Sequence, residues 1–384
     1  MHKIFYIFIC IITLNSVSNS FTIDTLSSGE NSDTDSTSNE IVTEQDTLPF
    51  TIGFTYLYGY AVPHAKEVVN IRGTHPIGYE VNFNWLLYTN EVWDDCHCYP
   101  RLGFLVAFYD YDINEIFGYG FNASGQFTYF FGLLSTFNFL LMGKAGISYL
   151  TKPYDRNTHP ENMSYSTYFN YLLSIGAGTR LAFNENLETQ FIVSMNHNSN
   201  AAFLEPNGGI NYPALSLNMS YTFNPVDIKP RYHNDPYLNS DKKKRWDFSV
   251  FWGISGMPYP DEAQVPMFGI NILRSWQVTR IGAINAGVEV EMNGRSRLRV
   301  QRGTIADISP WRASVQTGWE FLMGRTIFSI QLGFYLYRPY QYKDDVYQRY
   351  TLVHRILYHL YAGISFKSYR HYADHLDLRL TYSF

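Results

Sequence analysis

From Phe50 onward, apolar and polar residues alternate one for one along much of the chain. The clearest stretch is the last, where Leu376, Leu378, Leu380, Tyr382 and Phe384 take one side and Asp377, Arg379, Thr381 and Ser383 the other. A period of two is that of a strand, whose successive side chains point to opposite faces. The pattern predicts strands over 50–60, 77–88, 102–111, 117–130, 136–150, 165–183, 187–198 and 211–223. A second set follows over 246–255, 265–273, 281–292, 311–322, 326–337, 346–357, 361–368 and 375–384. Short connections (131–133, 184–186, 323–325) alternate with longer ones (61–76, 151–164, 293–310, 339–345). The link 224–245 breaks that rule, being long on the side of the short turns. It marks either a boundary between two halves of eight strands or a shift of the count by one pair. Its run Lys242-Lys243-Lys244-Arg245 reads as a solvated connector.

Composition decides what surrounds these strands. Aromatic residues make up 17% of the 384, a density that needs burial or a lipid interface. Past the N-terminus no run of about 18 apolar residues exists to form a membrane helix. In hydrocarbon every backbone N–H and C=O needs a partner within the protein, so amphipathic strands must close on themselves. The expected fold is therefore all-β: a transmembrane antiparallel up-and-down β-barrel of about 14–16 strands, with two eight-stranded halves as the alternative. The aromatic end of the last strand resembles the C-terminal signal by which the barrel-assembly machinery takes up bacterial outer-membrane barrels.

The N-terminal residues read as an address. Lys3 precedes the apolar run Ile4 to Leu14, and Ser18 and Ser20 suit a secretory cleavage site, so 1–20 is expected to be a signal peptide. Residues 21–48 hold seven acids and no Lys or Arg, which predicts a disordered acidic lead-in. The implied location is the outer membrane of a Gram-negative bacterium. A net charge of −5 and the lack of a basic stripe exclude a nucleic-acid partner. Two cysteines, Cys96 and Cys98, remain after the leader. The segment Trp93 to Cys98 has the side chains of a metal site but no second cluster, so an unusual close disulfide or free thiols are expected, with no metal and no cofactor.

The hairpin 187–223 carries the candidate chemistry. Leu187, Thr189, Phe191, Val193, Met195, His197 and Ser199 share one face of its first strand. The other face holds Glu188, Gln190, Ser194, Asn196, Asn198 and Asn200, with Ile192 as the apolar exception. If the apolar face meets lipid, His197 and Ser199 continue it at the outer end. Antiparallel pairing brings Asn211 opposite or diagonal to Ser199. A serine hydroxyl needs a base to become a nucleophile, and an imidazole needs a third group to hold its tautomer. The residues alone leave open a plainer reading, an interfacial histidine beside a turn-forming Ser and Asn.

The local sequence narrows this choice. His197-Asn198-Ser199-Asn200-Ala201, then Pro206-Asn207-Gly208-Gly209-Ile210, resembles the lipid A 3-O-deacylase (PagL-type, acyloxyacyl hydrolase-like) family. Thr74-His75-Pro76-Ile77-Gly78-Tyr79-Glu80 and the stretch Gly146 to Asp155 are similar to it as well. The likeness covers about 50–223. A weaker one over 246–384, around Gly363 to Ser368 and Ala373-Asp374, is similar to longer, Bacteroidetes-type members. The organisation expected from it is an eight-strand region 49–224 with the His-x-Ser-Asn motif, a connector 225–245, and further barrel strands 246–384. The resemblance implies an outer-membrane serine esterase that removes an ester-linked acyl chain from lipid A or lipopolysaccharide in the outer leaflet. His197 is then the general base, Ser199 the nucleophile and Asn200 part of the oxyanion site. The third catalytic position, a Glu in members closest to the short bacterial enzyme, is Asn211 here. The alternative is a porin-like or structural barrel with a degenerate site. His64, Lys66, Arg72 and His75 in the first long loop stand as candidate contacts for lipid phosphates. Arg295, Arg297, Arg299 and Arg302 have a spacing suited to one face of a strand or loop.

Overall fold

The computed structural model describes residues 48–63, 66–96, 98–133, 135–228, 243–257, 263–305, 307–340, 344–370 and 372–384. The expected leader, nearly all of the acidic lead-in, His64 and most of the connector lie outside these residues. Sixteen strands form among the described residues, as the alternation requires. The first eight are β1 (Phe50–Gly59), β2 (Ile77–Leu86), β3 (Arg101–Asp110), β4 (Tyr119–Phe131), β5 (Phe137–Leu150), β6 (Phe169–Ala182), β7 (Leu187–Ser199) and β8 (Ile210–Phe223). The second eight are β9 (Lys244–Gly256), β10 (Gln264–Thr279), β11 (Gly282–Asn293), β12 (Trp311–Met323), β13 (Thr326–Tyr337), β14 (Val346–Leu357), β15 (Leu360–Tyr369) and β16 (Tyr372–Ser383).

These strands close as two barrels, the second of the two arrangements the sequence allowed. β8 returns to β1, pairing Phe223 with Phe50, and β16 returns to β9, pairing Ser383 with Asp247. Each neighbouring pair is antiparallel, and no edge is left open in either cylinder. The connector 224–243 therefore joins two complete sheets. Its anomalous length follows from that.

Burial alternates with the sequence. Val193, Leu215 and Ile175 point outward and are exposed, as are Val250, Ile270 and Leu378 on the second barrel. This apolar outer band suits hydrocarbon. Both lumens are filled. In the first, Glu188 accepts from Arg101 and Arg180, and Glu80 from Lys144 and Tyr109. In the second, Glu289 and Asp377 flank Arg349 at 2.7 and 2.6 Å, and Lys367 reaches Glu291 at 2.7 Å. The gap among Arg245, Glu320 and Gln331 in the second barrel holds about 20 Å³, and that among Asn82, Arg101 and Lys144 in the first about 10 Å³. Each is room for about one water. In planar bilayers the protein is therefore expected to give no conductance above background; steady single-channel steps would contradict the packed lumens.

Among the described residues two short α-helices and one 3₁₀ turn (Lys66–Ile71) lie in connections. α1 (Asn90–Cys96) occupies the link between β2 and β3, after which Cys96 and Cys98 are joined by a disulfide. α2 (Gly294–Gln301) follows β11, where Asn293 caps it by accepting from the amides of Arg295 and Ser296. The arginine-rich segment is thus helical and not a strand, because Asn293-Gly294 provides a start signal that simple alternation overlooks. Arg295 turns into the barrel end and is buried against Asp374 at 3.0 Å.

Candidate functional site

The site sits where the β7–β8 hairpin leaves the sheet. On β7, Phe191, Val193 and Met195 face outward and are exposed, while Glu188, Gln190, Ser194, Asn196 and Asn198 are buried in the lumen. His197 is the next outward position and is half-buried, and Ser199 follows it, 3% exposed at the start of the 200–209 loop. Asn211 on β8 is directly opposite His197 in the register, which makes it diagonal to Ser199.

The side chains complete a chain of polar contacts. Ser199 Oγ lies 2.8 Å from His197 Nε2, and His197 Nδ1 faces Asn211 Oδ1. An amide oxygen only accepts, so Nδ1 carries the ring proton and Nε2 offers its lone pair to the serine hydroxyl. That is the tautomer a general base needs. Gly209, at φ +74°, lies against the imidazole: a Cβ there would stand 2.8 Å from His197 Cε1. Only glycine meets both the backbone and the space requirement.

The structure separates Asn200 into two parts. Its side chain is occupied, with Nδ2 donating to Ser166 Oγ at 3.0 Å and to the Leu204 carbonyl at 2.8 Å, and Oδ1 accepting from the Phe203 amide at 3.1 Å. Its backbone N–H, next to the serine, donates to Asn207 Oδ1 at 2.9 Å. The Ala201 amide faces Ser199 Oγ at 3.4 Å. Sequence reasoning did not single out Ser166, and it quoted Asn207 only as part of the Pro206–Ile210 motif, with no contact assigned to it. Neither is at a spacing from Ser199 that a strand pattern can reveal, since a loop fold brings them in.

Two further loops steady the arrangement. The amides of Gly208 and Gly209 donate to the carbonyls of Met163 and Ser164 at 2.9 and 2.6 Å, tying the loop to the 151–168 connection. Beneath it, Asn198 accepts from Ser148 and donates to Tyr111, both at 2.6 Å. Tyr111 belongs to a buried cluster with Leu57, Val68, Tyr165 and Tyr212 that fills the barrel end under the loops. Tyr165, expected to open a strand, is in a loop because its hydroxyl donates to the Phe117 carbonyl at 2.7 Å. Of the first-loop candidates, His75 stacks on Tyr58 with ring centroids 5.3 Å apart. Among the described residues no cluster of three His, Cys, Asp or Glu is placed to hold a metal.

Comparison with known proteins bears on what this geometry belongs to. A family model described as "Lipid A 3-O-deacylase (PagL)" matches residues 77–220, and one described as "Acyloxyacyl hydrolase, C-terminal domain" matches 244–384. No curated protein matches the chain. Among solved structures, the outer membrane enzyme PagL is similar over 43% of this chain and 97% of its own, at 14% identity and a TM-score of 0.32. A triple mutant of the Rhodopseudomonas blastica porin is similar over 88% and 99%, at 9% identity and a TM-score of 0.18.

Proposed function

The chain belongs to the lipid A 3-O-deacylase (PagL) family, with an acyloxyacyl hydrolase C-terminal domain following the deacylase region, and from this we propose that it is an outer-membrane serine esterase that cuts an ester-linked acyl chain from lipid A. The observation that carries this reading is the 2.8 Å approach of Ser199 Oγ to His197 Nε2 on the outward face of β7. There an acyl chain of an outer-leaflet lipid lies alongside the exposed row Phe191, Val193 and Met195.

In this mechanism Nε2 takes the hydroxyl proton as Oγ attacks the ester carbon. Asn211 Oδ1 holds Nδ1–H so that the ring stays in register. The carbonyl oxygen becomes an oxyanion and is met by the backbone N–H of Asn200, which exchanges Asn207 Oδ1 for the more strongly accepting anion. His197 then returns the proton to the departing sugar oxygen. Water, deprotonated in turn by Nε2, releases the fatty acid from Ser199. The role of Asn200 is thus through its main chain, since its side chain braces the loop. Uptake into the membrane by barrel-assembly machinery through the aromatic-ended β16 accompanies this proposal.

The neutral Asn211 favours the second reading, a weakened relative of the active family. An amide orients the ring but lends no charge to the imidazolium. A hydrogen bond to a charged group exceeds a neutral one by about 1.4 kcal/mol, which is roughly a factor of ten in rate. Asn211→Asp places a carboxylate oxygen where Oδ1 already stands, so kcat for fatty-acid release is expected to rise about tenfold. Mass spectrometry of lipid A incubated with each form measures this. No rise, with wild-type turnover intact, would mean that orientation alone is what position 211 supplies.

A further inference from the structure

The second barrel touches the catalytic loop of the first. The Gly256 amide, at the end of β9, donates to the Ala202 carbonyl at 2.6 Å. Gln264, at the start of β10, donates through Nε2 to the Phe203 carbonyl at 3.3 Å. The approach is one of backbone on backbone. A Cβ at position 256 would lie 2.9 Å from Leu204 Cα, 3.1 Å from the Phe203 carbonyl oxygen and 3.2 Å from the Glu205 amide nitrogen. None of these is the free end of a side chain that could move aside.

The segment so held is the one that requires holding. Ala201 and Ala202 have φ of +53° and +61°, two consecutive non-glycine residues in the left-handed region. Side chains with a Cβ avoid that region unless their surroundings fix them there. Ala201 is also the residue whose amide faces Ser199 Oγ. Behind Gly256 the second barrel is rigidly tied. Arg295 Nε donates to the Gly256 carbonyl at 3.2 Å, while its guanidinium is fixed by Asp374 at 3.0 Å and by Ser255. The buried Asp374 thus holds Arg295, Arg295 holds the Gly256 carbonyl, and the Gly256 N–H holds Ala202, three residues from the nucleophile.

We infer that the second barrel is a positioning element of the esterase site, with Gly256 and Gln264 as positioning residues that keep the 200–204 turn in the conformation that turns the Ala201 amide toward Ser199 and holds the Asn200 amide against Asn207 Oδ1. The inference rests on the esterase reading and adds to it a role for the C-terminal half. That half serves to brace the site, and the loop it braces is the one that meets the oxyanion.

The test uses the full chain in lipid A-containing vesicles. Three quantities are read: kcat and KM for fatty-acid release, the rate at which a fluorophosphonate labels Ser199, and the heat-dependent gel mobility of the folded barrels. Gly256→Val pushes the loop away. It is expected to lower kcat and the labelling rate together, by about 10²-fold, as displacements near 1 Å do, with KM and the folded mobility unchanged. Gly256→Ala is expected to fall between. Gln264→Ala removes one exposed hydrogen bond without bulk, and a loss of about threefold in both rates is expected; it decides the matter should the valine variant not fold. Wild-type turnover with Gln264→Ala and folded Gly256→Val both unimpaired would overturn the positioning role alone. A wild-type chain that neither releases fatty acid nor takes up the phosphonate would overturn the esterase reading, and this role with it.

Discussion

Ser199→Ala and His197→Ala each abolish fatty-acid release from lipid A, with an expected loss of about 10⁴-fold or more in kcat, while both barrels still fold. The size follows from the way the two groups act as one unit. Without the hydroxyl no acyl-enzyme bond can form, and without the imidazole the hydroxyl keeps its proton. The stability cost is small because neither side chain belongs to the packed lumen. His197 is a half-buried outward position, and among the described residues the Ser199 hydroxyl meets the ring and the nearby Ala201 amide. Combining the two substitutions is expected to cost little more than either alone, since residues of one catalytic unit are not additive. Release of free fatty acid, followed by mass spectrometry of the residual lipid A, measures the loss. Unchanged release in either variant would remove that residue from the mechanism.

Arg349→Met is expected to destabilise the second barrel by about 3–5 kcal/mol. Arg349 is wholly buried between Glu289 and Asp377, also donates to Ser365 at 3.1 Å, and lies 5.1 Å from the centre of the Phe251 ring. Methionine fills much of the volume but leaves two carboxylates short of a cation in a dry interior. The remaining Lys367 and Arg379 lie 3.4 and 3.8 Å from Glu289 but stand closer to Glu291 and Asp377, at 2.7 and 3.4 Å. Breaking one partner of a buried pair costs more than exchanging the whole group for apolar side chains. Accordingly, the triple change Arg349→Met with Glu289→Gln and Asp377→Asn should recover a large part of the loss. Urea-induced unfolding in lipid vesicles reads both. A single variant as stable as the wild type would show that the lumen charges are reached by water.

How much of this could be read from the sequence depended on the range of each interaction. The strands were legible because alternation is local, and the outward position of His197 followed from Phe191, Val193 and Met195 on the same face. The pairing of His197 with Asn211 was close to legible, since one hairpin sets it. Closure was not. A barrel of sixteen strands and two of eight have the same alternation, and the difference lies in Phe223 pairing with Phe50 and Ser383 with Asp247. The long link after Phe223 was the one local sign. Arg295, Arg297 and Arg299 misled because residues two apart also occur in a helix, and the cap at Asn293 was the better signal. Gly256 and Gln264 reach the loop through folding alone, so no motif in the chain marks them, and the Pro206–Ile210 motif contains Asn207 without showing that it accepts from the Asn200 amide.

β8 closes with Tyr221-Thr222-Phe223, and β16 closes with Tyr382-Ser383 and is followed by Phe384, with Phe223 and Phe384 both exposed. Every ladder of the first cylinder is formed within 50–223, so that cylinder can be finished before residues 244–384 have been delivered to the bilayer. Insertion can then proceed in two instalments. On the proposed reading, Ser199 and His197 are then in place before β9 and β10 bring the contacts inferred to brace their loop. The proposed esterase is therefore expected to stay quiet until β9 and β10 arrive, which would spare the lipids around the assembly site from a half-built enzyme.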